Sequence, residues 1–164
     1  MDKRGGAMNL FISSSRVLAA LIFMQAVLPL EVDAKSGEEL RAMYTKFLKK
    51  EGYQPEVDGD GDVVFKHEGK TYFIDVHDKD SEFFMIALPN IWPIESSVER
   101  RKVLAAADET NQETKMAKIY TKGDNVWVTA ESFVAIPEDF EDVFKRMLSS
   151  IVTAVDLFAD KMRE

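Results

Sequence analysis

The chain has 164 residues, with 21 basic and 29 acidic side chains, a formal net charge of −8 and no cysteine. An acidic surface repels phosphate backbones and anionic bilayers, since binding them needs cationic side chains that displace counterions, so nucleic acid is excluded as a partner. The missing thiols exclude disulfides, thiolate metal sites and cysteine nucleophiles, and packing alone must hold the fold together.

Residues 1–34 read as a secretory signal peptide. Lys3, Arg4 and Arg16 precede an apolar run over 17–30, interrupted by Gln25. Val32 and Ala34 then place aliphatic and small side chains at the two positions that a signal peptidase inspects. The run of 14 residues is short of the roughly 18–20 that span a bilayer as a helix. A start at Met8 would keep Arg16, the run and the cleavage site. The expected product is periplasmic or secreted, cleaved after Ala34, with no stable membrane span. Removing residues 1–34 from 164 leaves 130, one domain over 35–164. Three basic and three acidic residues leave with the leader, so the net charge of −8 is unchanged.

In the mature region Ser36 and Glu39 have the spacing of a helix capping box. Leu40, Met43, Tyr44, Phe47 and Leu48 follow on one helical face, and Gly52 suits the left-handed position after the last turn. The period then changes to that of strands. Residues 62–67 and 71–76 form a hairpin across a turn at 68–70, and 82–88 is a third strand, apolar enough to be central. A short edge strand is expected over 53–57. Residues 89–93, with two prolines, read as a linker carrying Trp92. Ser96 and Glu99 offer a second capping box, opening a helix to about residue 110 whose alanines at 105–107 permit close approach to a sheet. Residues 115–120 and 125–131 are two further strands. Pro137 opens the last helix, with Glu138 and Asp139 complementing its dipole.

That helix carries a long apolar stripe: Phe140, Val143, Phe144, Met147, Ile151, Ala154, Val155, Phe158 and Met162. At 1.5 Å per residue it reaches roughly 35–40 Å, longer than a sheet of this size requires. Ile151, Val155, Phe158 and Met162 are therefore expected to contact a second chain in a homodimer. The order of elements is helix, antiparallel hairpin strands, helix, two strands, long C-terminal helix. This is an α+β fold, a largely antiparallel sheet with helices on one face.

Few residues carry chemistry. Asp58, Asp60 and Asp62 alternate with glycine like the first half of a calcium loop, which makes them metal candidates. The pattern then departs, with Val63 where the loop wants glycine and Gly69 where it wants glutamate. A solvated, strongly twisted turn leading into a strand accounts for it better. His67 and His77 are too few for a zinc site, which takes three or four protein ligands. No nucleophile elbow, phosphate loop or dinucleotide fingerprint occurs. A hydrolase assembled from scattered carboxylates is an alternative, since such pairs form only in space. Trp127 alternates with Val126 and Val128 and reads as packing. Trp92, with Ile91 and Ile94, sits in the expected linker; it is the binding candidate, because loops gather binding residues, and the alternative is that it covers one end of the sheet.

Several patterns are linked in order and spacing: residues 60–65 (Asp-Gly-Asp-Val-Val-Phe) before Glu68, Gly69, Lys70, Thr71 and Tyr72; residues 105–111 closing the middle helix; residues 115–120; and Ala130 and Glu131 leading through Pro137 into the final helix. Together they resemble the YbjN-like family, described as bacterial sensory transduction regulators. The resemblance spans residues 37–162. It implies the two-layer fold of type III secretion chaperones, dimerisation, a peptide or protein ligand, no catalytic residues and no cofactor. The leader separates this chain from those cytosolic chaperones. The expected function is an exported, non-enzymatic binding or chaperone-like module; a calcium-dependent module using Asp58, Asp60 and Asp62 is the alternative.

Overall fold

The computed structural model describes residues 34–163; the expected leader over 1–34 lies outside the described residues except for Ala34. Helix α1 (Gly37–Lys50) starts at Ser36, whose hydroxyl accepts the Glu39 N–H while the Glu39 carboxylate accepts the Ser36 N–H at 2.9 Å. Both halves of the expected capping box are thus made. Those bonds hold the Glu39 carboxyl below its usual range. Strands β1 (Glu56–Val57), β2 (Val63–His67), β3 (Lys70–Ile74) and β4 (Phe83–Pro93) follow. Helix α2 (Ser97–Glu113) and the hairpin β5 (Ala117–Lys122) and β6 (Asn125–Phe133) come next. One 3-10 turn (Pro137–Asp139) then runs into α3 (Phe140–Arg163).

The strands form one sheet in the order β1-β2-β3-β4-β6-β5, with every neighbouring pair antiparallel. The α+β architecture with a long last helix is as the sequence implies. Alternation decides the layers. Val63, Phe65, Tyr72, Ile74, Phe84, Ile86, Leu88, Val126 and Val128 are buried and share one core with residues from all three helices. Their neighbours Val64, Phe73, Met85 and Trp127 point the other way and stay half-exposed. Among the described residues, the helices cover one face, and the second face is left to its own side chains.

Phe140 is the pivot of the core. Its ring meets Tyr44 and Phe47 edge-on at 4.9 Å and lies 5.2 Å from Phe84. It thereby joins α1, the sheet and the start of α3. Burial also pushes the Tyr44 hydroxyl up to about 12.

The length of α3 has a different use from the one expected. Ile151, Phe158 and Met162 are buried within this chain, and Val155 is half-buried against the same core. The helix is 24 residues long, which is roughly 36 Å. Its first turns pack on α1, where Phe144 meets Phe47 at 5.0 Å. Its last turns pack on α2, where Lys161 bridges Glu109 and Glu113 at 3.5 and 2.7 Å. Phe158 meets Trp92 of β4, and Ile151 and Met162 are buried in the core shared by the sheet and the helices.

The second correction concerns residues 89–93. They are the end of β4, not a linker. Leu88 pairs with Val128 and Trp92 with Val126, so three residues of β4 oppose Trp127 alone. Pro89 has no N–H to give to a ladder and is tolerated inside such a bulge. Asn90 absorbs the extra length at φ 58°, a left-handed conformation that asparagine accepts more readily than most residues.

A cleft at the bulge and an uncovered sheet face

The bulge opens the sheet. Strands β3 and β4 pair at Phe73 with Ala87 and at Ile74 with Ile86, and diverge beyond. The gap is a cavity of about 420 Å³ lined by Lys70, Thr71, Leu88, Pro89, Asn90, Ile91 and Val155. Leu88, Pro89, Ile91 and Val155 make its walls apolar, while Lys70, Thr71 and Asn90 supply polar groups. Pockets that bind ligands combine an apolar lining with a few polar groups in this way. Two separate expectations meet here: Ile91, a binding candidate, and Val155, a dimer candidate.

Thr71 of the cleft shares the second face with Phe73, two residues along β3. Trp127 reaches across β4 to Phe73, with ring centroids 5.9 Å apart. Ala87, opposite Phe73, is small enough to let the two rings meet and is itself fully buried. Lys122 Nζ sits 3.9 Å from the Trp127 ring centroid. Further along, Thr129 donates to Glu131 at 2.9 Å, and Glu131 also receives Lys118. Phe83 and Phe133 pair at the far end, with Phe133 75% exposed. Trp127 is therefore a surface residue of the second face, where the sequence suggests packing.

Trp92 and Ile94 serve a different purpose. Ile94 is buried. Trp92 packs edge-on against Phe158 at 6.1 Å and donates its indole N–H to Glu99 at 2.9 Å. Glu99 accepts the Glu95 N–H with its other oxygen at 2.7 Å. Its side chain therefore braces the start of α2 from Trp92 and Glu95, and only the Ser96 half of the expected second capping box forms. These two bonds, the Glu95 one first, hold the Glu99 carboxyl below the ordinary 4.5. A depressed glutamate stabilises the fold above its unfolded value, and that contribution is lost as pH falls through the folded one. With Trp127→Phe leaving Trp92 as the sole indole among the described residues, its emission should shift with a midpoint below pH 4.5. Glu99→Gln should abolish that acid transition.

The Asp58–Asp62 turn is satisfied from within. Asp58 Oδ1 accepts the N–H groups of Asp60 and Asp62, both at 3.0 Å. Asp62 Oδ1 accepts the Val76 N–H at 3.0 Å. Burial pushes the Asp62 carboxyl up, against the Val76 bond, and the charges of Asp75, Asp58 and Asp60 add to the rise. Among the described residues, no three His, Asp or Glu side chains are grouped to hold a metal ion. One cavity does hold two acids, Glu138 and Glu141, among Lys35, Lys46 and Lys50. Lys35 pairs with Glu138 at 2.8 Å and holds it low, the reverse of what a general acid needs.

The β5 edge of the sheet is occupied over Ala117 to Ile119. Asn111 of α2 donates to the Ile119 carbonyl at 3.0 Å and accepts the Ile119 N–H at 2.8 Å, as a neighbouring strand would. Thr114 donates to the Ala117 carbonyl at 3.1 Å. Side chains of α2 thus occupy the backbone groups through which another strand would add.

Comparisons with known proteins agree with this architecture. The sequence profile of the family described as "T3SS (YopN, CesT) and YbjN peptide-binding chaperone 1" matches residues 38–163. The crystal structure of YbjN from E. coli superimposes with a TM-score of 0.55 at 14% identity, over 74% of this chain and 92% of that one. That likeness shows the fold. An uncharacterized protein from Methanothermobacter thermautotrophicus gives 0.48 at 17% identity, over 75% and 94% of the two chains. No curated protein sequence matches. With the family profile matching most of its length, the chain belongs to the family of type III secretion and YbjN peptide-binding chaperones.

Proposed function

We propose that this protein is an exported, non-enzymatic, chaperone-like module that holds an extended peptide on its uncovered sheet face. One apolar side chain of that peptide enters the cleft between β3 and β4. The cleft carries the proposal: it is apolar inside and polar at Lys70, Thr71 and Asn90, and its Thr71 lies two residues from Phe73 on β3, on the same face of the sheet. Membership in a peptide-binding family supports it. The occupied β5 edge favours the face over strand addition at that edge.

The test is fluorescence anisotropy of a labelled peptide with the central sequence Ser-Leu-Phe-Val-Asp. Saturable binding is expected, together with loss of binding when Leu-Phe-Val becomes Ser-Gly-Ser. Equal binding of both peptides would contradict the proposal. Export rests on the leader pattern over 1–34. N-terminal sequencing of protein from the periplasm or medium should begin at Lys35; an intact leader on cytosolic protein would refute it. Among the described residues no helix is long and apolar enough to cross a membrane.

A further inference from the structure

We infer that the peptide carries a carboxylate beside its apolar anchor, and that the uncovered face orients it by charge. This rests on the peptide-binding reading above. The chain is acidic overall, at −8, yet the cleft end of the face is basic. Lys70 lines the cleft, Lys66 pairs in register with Thr71 of its wall, and Lys122 lies over Trp127. None of the three takes part in an ion pair among the described residues.

The other end of the face has the opposite sign. Asp75 follows β3, and Asp62 precedes β2 with its carboxyl held among Asp75, Asp58 and Asp60. Glu131 lies opposite Met85 but is neutralised by Lys118. From Glu131 to Trp127 is four residues along β6, roughly 13 Å at strand rise. The Debye length at physiological salt is about 8 Å, so each end presents its own sign to a ligand. Glu68, in the β2–β3 turn, Asp156, next to Val155 on α3, and Asp124, two residues from Lys122, are the nearest acids to the cleft end in sequence. Asp124 pairs with Arg100, so three lysines stand against two carboxylates and leave one positive charge in excess. A carboxylate is thus attracted where an apolar side chain finds the cleft and repelled at the far end. The chemistry admits either an acidic side chain or a chain-terminal carboxylate.

The experiment compares peptides Ser-Leu-Phe-Val-X, with X as Asp, Asn or Lys, carrying a neutral fluorophore and an amidated end. A fourth peptide has X as Asn with a free terminal carboxylate. The Asp peptide should bind about tenfold tighter than the Lys peptide at low salt, and the gap should shrink as salt rises. In the Lys66→Glu/Lys70→Glu double variant the preference should invert. These positions are exposed, and an unchanged melting temperature shows that the variant folds. Tight binding of the amidated Asp peptide assigns the carboxylate to a side chain; tight binding of the free-ended Asn peptide alone assigns it to a terminus. Both outcomes support the inference. Equal affinity for Asp, Asn and Lys peptides overturns it while leaving peptide binding intact. Failure of all four peptides to bind overturns both.

Discussion

Replacing Phe140 with alanine is expected to lower the unfolding free energy by about 3–5 kcal/mol, the range for a fully buried phenylalanine cut back to a methyl group. The residue is fully buried and touches aromatic rings from α1 and β4. Its loss removes transfer energy and the edge-on contacts together, and three elements would have to move jointly to close the space. A domain of this size has about 5–15 kcal/mol in total, so the variant should sit near the limit of folding at physiological temperature. Urea unfolding followed by circular dichroism checks this. A cost below about 1 kcal/mol would mean that the start of α3 is not the keystone described here.

The second large effect concerns ligand binding and not stability. Val155→Phe places a ring in the cleft between β3 and β4, where an open cavity of about 420 Å³ gives it room. Peptide affinity should fall at least about tenfold, because the anchor side chain loses its pocket while the rest of the contact is unchanged. The melting temperature should hold or rise, since the ring fills space that is otherwise unpacked. Those two readouts together separate a blocked site from a damaged fold. Val155→Phe binding the Ser-Leu-Phe-Val-Asp peptide as tightly as the parent chain would remove the cleft from the account.

Much of the fold is legible in the sequence because local signals agree with it. The Ser36–Glu39 box, the alternation in β2 and β3, and the three- and four-residue steps of α3 each report a structure that forms where they lie. Two features are not local. Pro89 and Pro93 look like breaks, and nothing nearby indicates that Trp92 regains register with Val126 across the bulge. The depth of burial of α3 depends on α1 and α2 meeting its two ends, which spacing within α3 does not encode.

The site is legible only in part. Ile91 is picked out by its apolar neighbours, but Trp92 draws attention first and is used as a brace to Glu99. Phe73, Thr71 and Lys70 carry no motif. A signal for the uncovered face does exist. Residues 72–74 and 83–88 are apolar at consecutive positions, so both faces of β3 and β4 are apolar, while three helices cover one face only. An apolar surplus of that kind marks a surface that meets something else.

The central claim is that a peptide occupies the cleft and the adjoining uncovered face. Its most direct test is amide and indole chemical-shift mapping of isotope-labelled mature domain, titrated with the Ser-Leu-Phe-Val-Asp peptide. The largest changes are expected at Thr71, Asn90, Ile91 and the Trp127 indole, with the Trp92 indole nearly still. Changes confined to α1 or to the β5 edge around Thr121, with Trp127 unmoved, would contradict it.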